Sequence, residues 1–179
     1  MKLTRIGSAS ACLHALSDYT VNKNTRRCGG ESVKERAMRT VKQMLQQKSH
    51  GLSTISPDAR VFEALKLMAE KNVGALLVIE NGQLVGILSE RDYVRKTVLH
   101  GKSSHDMPVK EIMTERVICV QPNRTTDECM ALMTEKRVRH LPVIENDKLI
   151  GVVSIGDLVK ETISEQQFII EQLESYIHR

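Results

Sequence analysis

Apolar positions along the chain change their spacing in a repeating order. After an apolar Ile55 the text reads "SPD", turn chemistry with a proline. Val61, Ala64, Leu65 and Met68 then recur at helical spacing. Two strand-like stretches follow, "ALLVI" at Ala75–Ile79 and "LVGILS" at 84–89. They flank "ENGQ", in which Asn81-Gly82 is a strong hairpin signal. Past Ser89 the spacing becomes helical again. The predicted order is β-α-β-β-α, starting from a strand at Ser53–Ile55, with strands too apolar to lie open to water on either face.

The same order is written again 65 residues later. Ile55–Lys96 set over Val120–Glu161 gives 17 identities in 42 positions without a gap. Pro57 matches Pro122, Gly86 matches Gly151, Ser89 matches Ser154 and Asp92 matches Asp157. The second copy predicts a strand at Ile118–Val120 and a helix with Cys129, Met130 and Met133. Its hairpin turns at Asn146-Asp147, and a closing helix follows Ser154. Two long copies do not make a solenoid; they imply an α/β protein of two similar units related by a pseudo-twofold axis. The resulting division is 1–37 as a leader, 38–101 and 111–165 as the units, 102–110 as the linker, and 166–179 as a C-terminal helical extension. In the closing helix Val159, Ile163, Ile170, Leu173 and Ile177 follow a heptad seam, open to the chain's own core or to a partner helix. Before the first unit, "MRTVKQMLQQK" places Val41, Met44 and Leu45 on one helical face.

Composition narrows the picture. The 179 residues are 41% hydrophobic, enough for one domain or two small units sharing a core, yet aromatics are only 3%. An aliphatic core follows, and base-stacking nucleic-acid surfaces are disfavoured. The longest wholly apolar run has five residues, far short of a membrane span. Residues 1–37 hold seven of the 26 basic and three of the 22 acidic residues, leaving nineteen of each in the rest. The +4 net charge is therefore no sign of nucleic-acid affinity. Residues 1–37 read either as a disordered or non-native extension or as an organellar presequence. Cys12, Cys28, Cys119 and Cys129 lack zinc or disulfide spacing, so a reducing cytoplasmic setting is expected, with mitochondrion or plastid the alternative if the leader is a presequence.

Candidate chemistry sits at the repeated turns, "SERD" at 89–92 and "SIGD" at 154–157. Each fits a helix-capping pattern with an acid in the first turn. The same frame is also a site where an Asp can accept bonds from vicinal hydroxyls and helix amides can face an anion. Arg91 could clamp phosphate where its counterpart Gly156 cannot. Arg139 and His140 enter an apolar strand, either as a solvated strand end or as the anion end of a cleft between the units.

These two stretches, with "IMTE" between them, resemble a tandem pair of CBS (cystathionine β-synthase) domains, or Bateman module, and are similar to small stand-alone CBS-pair proteins. The resemblance spans about 38–179 and implies a regulatory sensor in signal transduction that binds AMP, ADP, ATP or NAD. It places Asp92 and Asp157 on the ribose, with Ser89 and Ser154 near ribose and phosphate. Arg91, Arg139 and His140 would meet phosphates. The adenine pockets would be Thr54, Ile55, Ala75 and Leu76 in one site, and Cys119, Val120, His140 and Leu141 in the other. Unequal sites, a disc-shaped homodimer and a regulated partner protein are further expectations of the resemblance. Lys102, Ser103 and Ser104 are additional phosphate candidates. No P-loop, nucleophile elbow or metal-ligand cluster is present, so no catalytic cofactor, metal or enzymatic activity is expected. A structural or partner-binding dimer without nucleotide is the alternative function.

Overall fold

Both hairpins turn as their sequences demand. Asn81 and Gly82 have φ of 49° and 78°, and Asn146 and Asp147 have 50° and 60°, the paired positive angles of two-residue hairpin turns. The computed structural model describes residues 39–48, 51–96 and 103–177. The leader at 1–37 and Lys102 lie outside the described residues.

In chain order the elements are α1 (Val41–Gln47), β1 (Thr54–Ile55), α2 (Val61–Lys71), β2 (Ala75–Glu80), β3 (Gln83–Ser89) and α3 (Glu90–Lys96). A short 3-10 turn at Val109–Glu111 leads into α4 (Thr126–Lys136), β4 (His140–Glu145), β5 (Lys148–Ser154) and α5 (Ile155–Ile177). The first sheet is ordered β1-β2-β3, with β1 parallel and β3 antiparallel to β2. The second repeats this pattern as β4-β5, but the expected strand at Ile118–Val120 shrinks to a single parallel bridge, Val120 to Val143. The cause is Pro142. In the first unit Leu77 N–H donates to Ser53 O at 3.0 Å, whereas its counterpart Pro142 has no amide to give Ile118.

Two aliphatic cores result. Val61, Ala64, Met68, Leu76, Val78 and Leu88 form the first, with Met107, Val109 and Ile112 from the inter-unit segment. Val120, Cys129, Met133, Leu141, Val143, Val153 and Leu158 form the second, with Val41 and Met44 from α1. Packing therefore crosses chain order: α1 docks on the second unit, and the segment before "IMTE" docks on the first. The two segments are themselves a repeat, "VKQML" at 41–45 and "VKEIM" at 109–113, offset by 68 instead of 65. Their bonding matches. Val41 and Lys42 donate to Arg124 O and Pro122 O, and Val109 and Lys110 donate to Ala59 O and Pro57 O, all at 2.9 Å. Gly86 and Gly151 admit this docking: a Cβ on Gly86 would lie 2.7 Å from Met113 Sδ, and one on Gly151 2.6 Å from Leu45 Cδ1.

Residues 155–177 form one continuous helix about 35 Å long at 1.5 Å per residue, so the C-terminal extension is the closing helix prolonged. Only Leu158 of α5 is buried. The heptad residues Val159, Ile163, Ile170, Leu173 and Ile177 stay exposed, Ile163 at 60% and Leu173 at 59%. The chain's own core does not use this seam. Among the described residues no helix is long and apolar enough to cross a membrane.

Candidate functional site

Ser89 ends β3 and Ser154 ends β5, each opposite the first residue of the neighbouring strand, Ala75 and His140. Each serine and the aspartate three residues on close a reciprocal cap. Ser89 donates to Asp92 Oδ2 from its amide at 3.1 Å and its hydroxyl at 2.5 Å, and Asp92 N–H returns a bond to Ser89 Oγ at 3.3 Å. Ser154 and Asp157 repeat the arrangement at 2.8, 2.7 and 3.2 Å. The capping reading therefore holds at both turns.

The turns differ in what else reaches the carboxylate. Asp92 divides its oxygens: Oδ2 serves the cap, and Oδ1 meets Thr114 Oγ1 at 3.3 Å and Lys96 Nζ at 3.6 Å. Asp157 Oδ2 carries the cap and also accepts from Lys48 Nζ at 2.7 Å; that ammonium also bonds Val152 O at 3.1 Å. Burial acts to raise the Asp157 carboxyl, but the Lys48 and Ser154 bonds together hold it below its ordinary value.

The Asp92 turn opens on a cavity of about 350 Å³ between the units. From the first unit come Gly74, Ile87, Ser89, Glu90, Arg91, Asp92 and Arg95. The second unit supplies Thr114, Arg116, Val117 and Ile118 from its start, and Arg137, Val138, Arg139 and His140 from the end of α4 and the start of β4. Gly74 marks the seam, since a Cβ there would meet Glu90 Oε2 at 3.8 Å and the His140 ring at 3.9 Å. Burial first, then the charge of Lys48, holds His140 below the usual imidazole range, against the opposing pull of Asp157 and Asp92. The His140 ring on the cavity wall is thus biased toward its neutral form.

Of the site residues read from sequence, the cavity brings together Ser89, Arg91, Asp92, Arg139 and His140. Ser154 and Asp157 belong to the other turn and are not on its wall. Leu76 and Leu141 are fully buried and Cys119 and Val120 nearly so, all inside the cores, so their side chains give the cavity no surface. Thr54, Ile55 and Ala75 also stand outside this wall; its apolar patches are Ile87, Val117, Ile118 and Val138. Sequence reasoning missed Arg95, Thr114, Arg116 and Arg137. The signal available was "RVRH" at 137–140, of which only the last two residues were singled out, and the Thr of "IMTE". Among the described residues no group of His, Cys, Asp or Glu is arranged to hold a metal ion.

Comparison with known proteins agrees with this architecture. A family model described as the CBS domain matches residues 41–98 and 109–164. The mitochondrial CBS domain-containing protein CBSX3 of Arabidopsis thaliana is 43% identical over 125 residues, 67% of this chain and 61% of that protein, so the chain spans less than two thirds of that relative's length. A solved protein with CBS domains from Burkholderia ambifaria matches at TM-score 0.69 and 52% identity, covering 72% of this chain and 96% of the other. The CBS domain pair of protein MJ0100, solved in complex with 5′-methylthioadenosine and S-adenosyl-L-methionine, shares the fold at TM-score 0.63 and 24% identity, covering 72% of this chain and 98% of the other.

Proposed function

This chain belongs to the CBS-domain family and carries two CBS repeats, and on that premise we propose that it is a regulatory sensor for an adenosine-containing ligand (AMP, ADP, ATP or NAD) bound between the repeats. The observation that carries the reading is the divided carboxylate of Asp92 at the edge of the inter-repeat cavity. One oxygen completes the helix cap, and among the described residues the other is met by a 3.3 Å hydroxyl and a 3.6 Å ammonium. A ribose diol can take the place of those long contacts without dismantling the helix start. Arg91 and Arg139 face the same space from opposite repeats and suit phosphate. Ile118 and Val138 offer an apolar wall for a base, and about 350 Å³ lies within the usual range of small-ligand pockets. A CBS pair of the same fold is known with adenosine compounds bound, which supports the ligand class.

Because the walls come from both repeats, occupancy favours one arrangement of the repeats over others. That differential is what signalling requires; equal affinity for both arrangements would shift nothing. The exposed seam of α5 supports a homodimer that transmits the change to a partner protein. The role is regulatory rather than catalytic. Calorimetric titration of the full chain with AMP, ATP and NAD tests the reading: saturable binding by at least one supports it. Heats no larger than dilution from a folded protein contradict it and leave a structural, partner-binding dimer.

A further inference from the structure

The cavity holds more positive charge than one phosphate can use. Arg91, Arg95, Arg116, Arg137 and Arg139 line it, opposed by Glu90 and Asp92. Among the described residues none of these five arginines takes part in an ion pair. Guanidinium groups gathered in a concavity repel one another unless an anion enters.

Nor is the cluster inherited from the duplicated framework. At the 65-residue offset, Arg91, Arg137 and Arg139 correspond to Gly156, Asn72 and Gly74, and only Arg95 meets another cation, Lys160. Arg137 stands out in its backbone as well. It ends α4 at φ 54° and ψ 35°, the left-handed region, where Asn72 ends α2 at φ 51°. Asn suits that conformation; Arg does not, and the feature that distinguishes it is a guanidinium on the cavity wall. The five groups form two walls. Arg91 and Arg95 are one turn apart on α3, and Arg116, Arg137 and Arg139 come from the second repeat. Planar forks on opposite walls can grip successive phosphates of one chain, each by paired hydrogen bonds.

We infer that this cleft selects a ligand bearing at least two linked phosphates, as in ADP, ATP or NAD, over the monophosphate, with Arg116 and Arg137 making the difference. For the nucleoside half of the ligand, the inference rests on the adenosine reading above.

The test is calorimetry on the full chain with adenosine, AMP, ADP, NAD, GDP and inorganic tripolyphosphate, repeated with Arg116→Gln and Arg137→Asn. The second substitution installs the residue already tolerated at the matching turn, so a loss of affinity is not a loss of fold. ADP is expected to bind about ten-fold or more tighter than AMP, a ratio that shrinks at least several-fold in either variant. NAD binding as tightly as ADP supports the inference; NAD as weak as AMP overturns it, because NAD also carries two linked phosphates. AMP binding as tightly as ADP, or a ratio unmoved by Arg137→Asn, overturns the inference while leaving the adenosine reading intact. GDP and tripolyphosphate matching ADP sustain the inference and overturn the adenosine reading. No heat from any of the six overturns both.

Discussion

Lys48 Nζ stands 2.7 Å from Asp157 Oδ2, although the two residues are 109 positions apart. The equivalent aspartate of the first repeat, Asp92, has its lysine at 3.6 Å and from its own helix. One aspartate is thus closed by Lys48 at the end of α1, and the other is left facing a cavity. The repeats keep one frame and divide the work.

The ion pair also ties α1 to the second repeat. Both side chains are about 30% exposed, so Lys48→Met is expected to cost about 1 kcal/mol of stability near neutral pH. Asp157 titrates below its ordinary 3.8 in the folded protein, so its contribution is complete above that value and lost as pH falls through the lower folded value. Urea unfolding at pH 7 and at pH 3 should show the variant's deficit shrinking in acid. A deficit that does not change with pH contradicts this account.

Gly151 is required by close approach, not by its backbone angles. Alanine there drives a methyl to 2.6 Å from Leu45, which must move or lift α1 off the second repeat. A destabilisation of about 1–3 kcal/mol is expected for Gly151→Ala. Leu45→Ala removes the obstacle, so the double variant should be more stable than the sum of the single effects, readable as a coupling in denaturant midpoints. Additive losses would show that the two residues do not meet.

Burial pushes the Cys129 thiol up to about 11. At pH 8 it should resist alkylation in the folded protein and react on unfolding in urea. Peptide-level mass spectrometry after a timed alkylator pulse separates it from the other cysteines. Fast labelling of Cys129 in the native state would place it outside the core.

The α5 seam predicts association. Sedimentation velocity should give a dimer for the full chain and a shift toward monomer for Ile170→Glu. Because Ile170 is 49% exposed, the fold itself should survive, with an unchanged far-ultraviolet spectrum. A monomeric parent protein would remove the dimer from the proposal.

Much of this architecture was legible because it is local. Helix spacing around Val61 and Met68 and the turn dipeptides Asn81-Gly82 and Asn146-Asp147 encode their elements within a few residues. Duplication then doubled the signal. Hidden features were non-local. The docking of α1 across the chain was masked by a change of offset from 65 to 68 between "VKQML" and "VKEIM". The shortened strand before Val120 depended on an amide that Pro142, more than twenty residues later, lacks. Of the site, the serine and aspartate turns were readable as motifs. The cavity wall was less so, since Arg116 and Arg137 carry no motif and acquire meaning only when the repeats face each other. Strand apolarity at Leu76 and Leu141 looks the same in sequence whether it faces a core or a ligand; their side chains lie in the cores.

The central claim is that a nucleotide binds in the Asp92 cleft. It is tested most directly by titrating the full chain, Asp92→Asn and Asp157→Asn in parallel with ATP, after circular dichroism confirms that all three are folded. Asparagine keeps a side-chain acceptor for the helix cap and removes the charge. The account predicts saturable binding by the parent protein and by Asp157→Asn, with at least about a ten-fold loss in Asp92→Asn. Unchanged affinity in Asp92→Asn, or a loss confined to Asp157→Asn, would contradict it.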